Sequence, residues 1–79
     1  MRLNFIVNGD PTSVEADPGR PLLDAIKAAL RQVGEARPSS DWEVRAGDGR
    51  LLDRGSVVAD FGPMLEGWLF LTLRIGAGG

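Results

Sequence analysis

The chain has 79 residues, a formal net charge of −2 and no cysteine, histidine or tyrosine, which allows one small domain. Without cysteine and histidine there is no thiolate nucleophile, imidazole base, usual zinc site or disulfide, so we expect a cytoplasmic protein without a metal. The charges are interspersed and the apolar runs are short, so we expect neither nucleic acid nor a membrane as a partner. A core this small leaves little room for a deep active site, so we expect no catalytic residues and no enzymatic activity.

The first part of the chain predicts a β-hairpin. Apolar and polar residues alternate over residues 2–8 and again over residues 12–17, which is the period of a strand with one buried face. Between them, Asn8-Gly9-Asp10-Pro11 is typical of a tight turn, because glycine adopts positive φ and Pro11 cannot donate to a ladder.

One helix is predicted after the hairpin. Apolar residues recur at helical spacing from Leu23 to Val33, and Pro21 suits the first turn of a helix. Gly34 stands where a left-handed C-cap belongs. The following polar residues, 35–41, indicate a loop.

The second half of the chain predicts three more strands. Residues 42–45 form a short strand, residues 50–52 a brief return strand, and residues 68–75 the last strand, while residues 55–62 form a loop with one helical turn. The single helix would lie across a mixed sheet in which the first and last strands pair in parallel. The predicted fold class is therefore α+β, with four to five strands packed on one helix.

The chain resembles the ubiquitin-like proteins over essentially its whole length. The resemblance depends on the order and spacing of seven segments: Met-x-Leu-x-Phe at the start and its hairpin, the helix from Leu23 to Leu30, Val44-Arg45-Ala46-Gly47, Leu51-Leu52-Asp53-Arg54-Gly55, Val58-Ala59-Asp60-Phe61, residues 69–75, and Gly78-Gly79. It implies a β-grasp domain over residues 1–75 and a flexible glycine-rich tail over residues 76–79.

This resemblance also implies a function as a protein modifier. In ubiquitin-like modifiers, an activating enzyme uses ATP to adenylate the carboxylate of a terminal Gly-Gly, which then passes to a cysteine as a thioester and finally to an amine. Gly78 and Gly79 would be that end here, and glycine leaves no side chain to obstruct a narrow site on another protein. The implied partners are activating and conjugating enzymes, a deconjugating peptidase and target proteins. No cofactor is expected on the chain itself.

The tail is one residue longer than that of ubiquitin and also differs from it in sequence. Arg74 matches a tail arginine that helps the activating enzyme to choose its substrate, but Gly76 and Ala77 stand where another arginine is usual. Recognition by the activating enzyme would therefore depend on Arg74, Ile75, Gly76 and Ala77, and the resemblance implies a diverged, bacterial activating enzyme.

A candidate partner surface lies on the solvent face of the predicted sheet. Alternation places Ile6, Trp68 and Phe70 there, with Ile6 beside Phe70 because the first and last strands pair. This face would suit a partner or self-association, although Glu43 and Arg45 make it more polar than the corresponding face of ubiquitin. The alternatives are that a loop covers these side chains or that the register differs by one residue.

Lys27 is the only lysine of the chain. An isopeptide-linked polymer could therefore use only Lys27 or the N-terminal amine. Because lysines on such helices are usually structural or partly covered, we expect that long polymers are not the main product. The nearby carboxylates of Asp48 and Asp53 indicate solvated turns, since Arg50 and Arg54 would oppose a cation.

Two other functions remain compatible with the sequence. A sulfur carrier would use the same adenylated carboxylate to form a thiocarboxylate. A non-conjugated β-grasp module would act only through the face that carries Ile6 and Phe70.

Overall fold

A mixed sheet of four strands carries one helix on one of its faces. The computed structural model describes residues 1–74, so the predictions for Ile75, Gly76, Ala77, Gly78 and Gly79 lie outside the described residues. The strands and the helix are, in chain order, β1 (Arg2–Val7), β2 (Asp10–Glu15), α1 (Leu22–Gln32), β3 (Trp42–Arg45) and β4 (Trp68–Leu73). Two 3-10 segments, Ser39–Asp41 and Val58–Leu65, precede β3 and β4 respectively.

The strand order is β2-β1-β4-β3. β1 pairs with β2 in antiparallel and with β4 in parallel orientation, and β3 pairs with β4 in antiparallel orientation. The predicted α+β class, with a mixed sheet on one helix, is therefore confirmed. The hairpin turn is tighter than predicted, because only Asn8 and Gly9 connect the strands, with φ of 49° and 91°. Pro11 lies in β2, where an edge position tolerates its missing N–H.

The predicted return strand over residues 50–52 is wrong. Only a single bridge joins Arg45 to Leu51, supported by the Leu52 N–H donating to the Val44 carbonyl at 2.9 Å. The ladder stops there because the chain turns at Asp53, whose carboxylate accepts from the Gly55 N–H at 3.0 Å. The sheet consequently has four strands and not five.

The core lies between α1 and the inner face of the sheet. The buried positions alternate along β1 and β4 as the sequence predicts. Along α1 they recur at helical spacing, but the buried face begins at Leu22, and the predicted positions Leu23 and Val33 are only partly buried. The largest fully buried side chains are Trp42, Phe5, Leu3, Leu22, Ile26, Leu65, Leu69 and Leu71. Among residues 1–74 no charged side chain is buried, and the Trp42 indole N–H is the one buried side-chain polar atom without a hydrogen-bond partner.

Helix α1 ends as the sequence predicts. Gly34 has a φ of 76°, the Glu35 N–H donates to the Leu30 carbonyl at 2.9 Å, and the Gly34 N–H donates to the Arg31 carbonyl at 3.1 Å. These two bonds form a Schellman motif, which satisfies carbonyl groups that the helix leaves open. The motif also turns the following residues back along the end of α1.

The start of α1 is satisfied by a distant loop. Pro21 lies at the N-cap position and not inside the first turn, and it has no side chain that could cap the helix. Instead, the N–H groups of Leu22 and Leu23 donate to the carbonyls of Ser56 and Arg54, each at 2.9 Å. The loop after residue 52 is therefore part of the helix start.

Arg54 fixes this loop against the beginning of β3. Its Nη1 donates to the Ser39 carbonyl at 2.7 Å and to the Trp42 carbonyl at 3.0 Å. Hydrogen bonds from a charged group to partly buried acceptors stabilise a fold more than exposed ion pairs do.

We predict that Arg54→Leu lowers the free energy of unfolding by about 1–3 kcal/mol, because two carbonyls lose a charged donor. Arg50→Leu is the matched control, since within residues 1–74 the Arg50 side chain pairs only with the exposed Asp48 of its own turn. It should change stability by less than about 0.5 kcal/mol. Urea denaturation of the three proteins measures both values. Equal losses in the two variants would contradict the anchoring role of Arg54.

Candidate functional site

Arg74, the last residue that the structure describes, is hydrogen-bonded to the segment just before β3. The Arg74 N–H donates to the Asp41 carbonyl at 2.8 Å, and Arg74 Nη1 lies 3.4 Å from the Ser40 carbonyl oxygen. One residue earlier, Leu73 is paired with Trp42 across β3 and β4. Residues 75–79 therefore follow directly from a backbone position that is bonded to the folded domain.

The outer face of the sheet carries the three apolar residues that the sequence analysis singles out. Ile6 is paired with Phe70, and Trp68 is paired with Asn4, across β1 and β4. Trp68 is 47% exposed and Phe70 is 39% exposed, while Ile6 is half-buried. The predicted pairing of Ile6 with Phe70 is confirmed. The alternative of a register shifted by one residue is wrong, because Leu69 and Leu71 are the buried neighbours of Phe70.

The same face is polar toward β3. Arg45 lies opposite Phe70 and Glu43 lies opposite Thr72, and the Arg45 guanidinium is 3.7 Å from the Glu43 carboxylate. The surface consequently combines an aromatic centre on β4 with an ion pair on the edge strand. Self-association through it stays a prediction.

We predict that Phe70→Ala and Leu71→Ala, changes at adjacent positions of one strand, differ strongly in stability. Leu71 is fully buried, so its truncation should cost about 2–5 kcal/mol of unfolding free energy. Phe70 points outward, and its truncation should cost about 1 kcal/mol. Urea denaturation tests this order, and a greater loss for Phe70→Ala would contradict the observed register.

The two amines of the chain have different environments. The N-terminal amine of Met1 donates to Glu15 Oε2 at 3.2 Å and to the Ala16 carbonyl at 3.1 Å. Lys27 is exposed on α1 and has no ion pair or hydrogen bond from its side chain within residues 1–74. The expectation that Lys27 is structural or partly covered is therefore wrong, because its position on α1 faces away from the sheet.

The N-terminal amine also determines the acidity of Glu15. Its hydrogen bond and its positive charge hold the pKa of the Glu15 carboxyl below the ordinary value, with a smaller contribution from Arg2. Because this pKa is lowered in the folded protein, the ion pair stabilises the fold above the unfolded-state pKa. That contribution is lost as the pH falls through the folded-state pKa.

We predict that acetylation of the N-terminus raises the pKa of Glu15, because it removes the charge and the strongest donor. Asp48 is the internal control, since hydrogen bonds from the Arg50 backbone and side chain lower its pKa and do not involve Met1. Carboxyl-carbon NMR titration of both proteins measures the two groups. An unchanged Glu15 titration would contradict the assigned cause.

Asp48 and Asp53 each bond within their own turns. Asp48 Oδ1 accepts from the Arg50 N–H at 3.0 Å and Oδ2 from Arg50 Nε at 2.7 Å, while Asp53 accepts from the Gly55 N–H and the Ser56 hydroxyl. The interpretation of both carboxylates as turn residues is confirmed. Over residues 1–74, no three acidic side chains are grouped as a metal ion would require.

A groove at the end of α1 is not evident from the sequence. Lys27 and Arg31 line one side, and Arg37 lies on the segment that follows the Schellman motif. The spacing of Lys27 and Arg31 by four residues indicates that they share a helix face. The approach of Arg37 depends on the turn after α1 and has no signal in the local sequence.

Comparison with known proteins assigns the chain to a family. A family model with the description "Protein of Unknown function (DUF2604)" matches residues 1–79. The chain belongs to the DUF2604 family. An uncharacterized protein, y4jI, of Sinorhizobium fredii (strain NBRC 101917 / NGR234) is 41% identical over 80 residues. The alignment covers all of this DUF2604 chain and 62% of that relative.

Within residues 1–74 of this DUF2604 protein, no helix is both long enough and apolar enough to span a membrane.

Proposed function

We propose that this DUF2604 protein is a non-catalytic, cytoplasmic, ubiquitin-like modifier with a β-grasp fold. Its carboxylate at Gly79 would be adenylated by an activating enzyme with ATP, transferred to an enzyme cysteine and then joined to an amine of a target protein. A conjugating enzyme and a deconjugating peptidase would complete the pathway. The relative in Sinorhizobium fredii supports a bacterial setting for such a system.

The sheet topology supports the fold assignment. In a β-grasp, the first and last strands pair in parallel at the centre of the sheet and one helix crosses a single face. β1 and β4 have this relation, with β2 and β3 at the edges. The order of elements differs from the sequence-based one at residues 50–52, which do not form the predicted strand. Leu51 forms only a single bridge to Arg45 of the edge strand β3.

The position of Arg74 is the observation that carries the functional proposal. It is bonded to the folded domain at Asp41, and Ile-Gly-Ala-Gly-Gly follows it. Five residues reach at most about 17 Å when fully extended. That length, with three glycines and one alanine, would let a carboxylate enter a narrow site on another protein while the domain stays outside.

Each step of the proposed transfer uses a group that the chain itself does not supply. The Gly79 carboxylate attacks the α-phosphorus of ATP and releases pyrophosphate. An enzyme thiolate then displaces AMP, and a target amine displaces the thiol. The chain has no cysteine, so the thiol must belong to a partner. Conjugation also requires that Gly79 carries a free carboxylate when the activating enzyme acts.

We predict that incubation with ATP and a cognate activating enzyme, which we expect to be encoded beside its gene, gives an ATP-dependent covalent adduct. The adduct to the enzyme should be cleaved by added thiol, and the adduct to a target should resist it. Intact mass measurement and gel electrophoresis detect both. The chain without Gly78 and Gly79 is the control and should form neither.

The other outcomes identify the competing functions. With a sulfur donor added to the same incubation, displacement of AMP by sulfur and a mass gain equal to one oxygen-to-sulfur exchange would show a sulfur carrier and contradict the modifier. No covalent change, together with unimpaired function of the chain that lacks Gly78 and Gly79, would leave a non-conjugated module that acts through Ile6 and Phe70. If polymers form, we expect most of them to be joined through Lys27, because Lys27 is exposed whereas the N-terminal amine is paired with Glu15. The Lys27→Arg variant should therefore form few polymers.

A further inference from the structure

We propose that the groove at the C-terminal end of α1 binds an acidic segment of a partner protein, with an apolar side chain between its carboxylates. The groove has a volume of about 430 Å³. Lys27, Leu30 and Arg31 of α1 form one wall, and Arg37, Pro38 and Ser39 form the other. We call this surface the basic groove.

Within residues 1–74, the basic side chains without a partner are concentrated in one place. Six of the nine basic side chains are satisfied inside the domain by a carboxylate or a backbone carbonyl. They are Arg2 with Glu15, Arg20 with Asp24, Arg45 with Glu43, Arg50 with Asp48, Arg54 with Ser39 and Trp42, and Arg74 with Ser40.

The three remaining basic residues all line the basic groove. Lys27, Arg31 and Arg37 are exposed, and within residues 1–74 none has a carboxylate oxygen within 4.0 Å. Glu35 also borders the groove but pairs with none of them. A local charge of +2 thus stands on a protein whose net charge is −2, and such a patch attracts a partner of negative charge.

The groove also has an apolar component. Leu30 lines the groove but is only 4% exposed, so the accessible apolar surface comes mainly from the exposed ring of Pro38 on the other wall. The methylene stems of lysine and arginine extend such a surface while their charged groups remain in water. A ligand that carries only charge would leave this part of the groove unfilled.

The spacing of the charges favours an extended segment. Lys27 and Arg31 are one helical turn apart, and residues four apart on a helix lie about 5–6 Å from each other at Cβ. Side chains two residues apart on an extended strand are separated by about 7 Å on the same side. Two carboxylates at positions i and i+2 therefore match the two helical cations. The side chain at position i+1 points to the opposite side, toward the wall that carries Arg37 and Pro38.

A protein segment fits the basic groove better than a nucleic acid does. Single-stranded nucleic acids are bound through aromatic side chains on which bases stack, and none lines this groove. The Glu35 carboxylate would also repel a continuous phosphate backbone, whereas a peptide can place an uncharged residue there.

The basic groove adjoins the segment from which the tail departs. Ser39 belongs to the groove, and the carbonyls of the next two residues, Ser40 and Asp41, accept from Arg74. A partner in the groove would therefore lie close to the segment that holds Arg74. Binding of an acidic segment to the basic groove does not require that the tail is conjugated.

The experiment is a titration of the isotope-labelled full chain with four probes, followed by NMR. The first probe is a short peptide with glutamates at alternate positions around a leucine, and the second replaces that leucine by serine. The third replaces the glutamates by lysines, and the fourth is single-stranded oligothymidylate. The first probe should shift the amide signals of residues 27–39, bind about tenfold more tightly than the second, and weaken as salt is added. The lysine peptide should not bind.

Variants of equal charge test the location. Arg31→Gln with Arg37→Gln should weaken the first probe about tenfold or more, whereas Arg2→Gln with Arg50→Gln, which also removes two charges but lies outside the groove, should change its affinity less than twofold. The chain without Gly78 and Gly79 should bind the probe as the full chain does, so that a failure of conjugation and a failure of the basic groove are distinguishable. Circular dichroism verifies that each variant is folded.

Three results would overturn the assignment. The first is that the acidic peptide does not bind at millimolar concentration. The second is that its shifts lie around Phe70 on the sheet face. The third is that oligothymidylate occupies the groove more tightly than the peptide, which would show a nucleic-acid site.

Discussion

The parallel pairing of β1 with β4 is the constraint on which the rest of the structure depends. It joins residues 4–7 to residues 68–71 at the centre of the sheet. The connection between these two strands therefore includes most of the chain. Parallel strands need such a crossover, and α1 supplies its central part. Because side chains alternate along a strand, this register puts Phe5, Leu69 and Leu71 under the helix, and a slip of one residue would replace them by their outward neighbours.

Local patterns account for the elements that the sequence predicts well. The hairpin, α1 and β4 each have a hydrophobic period that continues over several residues, and Gly34 ends the helix with a local motif. Residues 50–52 also have a strand-like composition, but strand formation there depends on the next few residues of the chain. Because Asp53 closes a turn with Gly55 and Ser56, the chain leaves the edge of the sheet after one bridge. Composition alone does not determine such a competition between a turn and a ladder.

The features that the sequence does not predict depend on contacts between distant residues. The start of α1 has no capping side chain, and its N–H groups are satisfied by carbonyls more than thirty residues away. The prediction that Lys27 is partly covered is wrong for a related reason, because the exposure of its side chain depends on which side of α1 packs against the sheet. In the same way, Arg20, Arg45 and Arg50 find carboxylates nearby in the sequence, whereas the convergence of Arg37 with Lys27 follows only from the turn after the helix.

The two candidate surfaces lie on opposite sides of one rigid sheet. Trp68 and Phe70 face away from α1, while the basic groove is built on α1 itself. Arg74 stands between them, because the 3-10 turn to which it is bonded begins at the groove and leads into β3. If the tail is conjugated as proposed, one partner can hold the aromatic face while another holds the groove, and both can reach the same carboxylate. Two separate surfaces would suit a modifier that passes from enzyme to enzyme, since release by one partner then need not precede capture by the next.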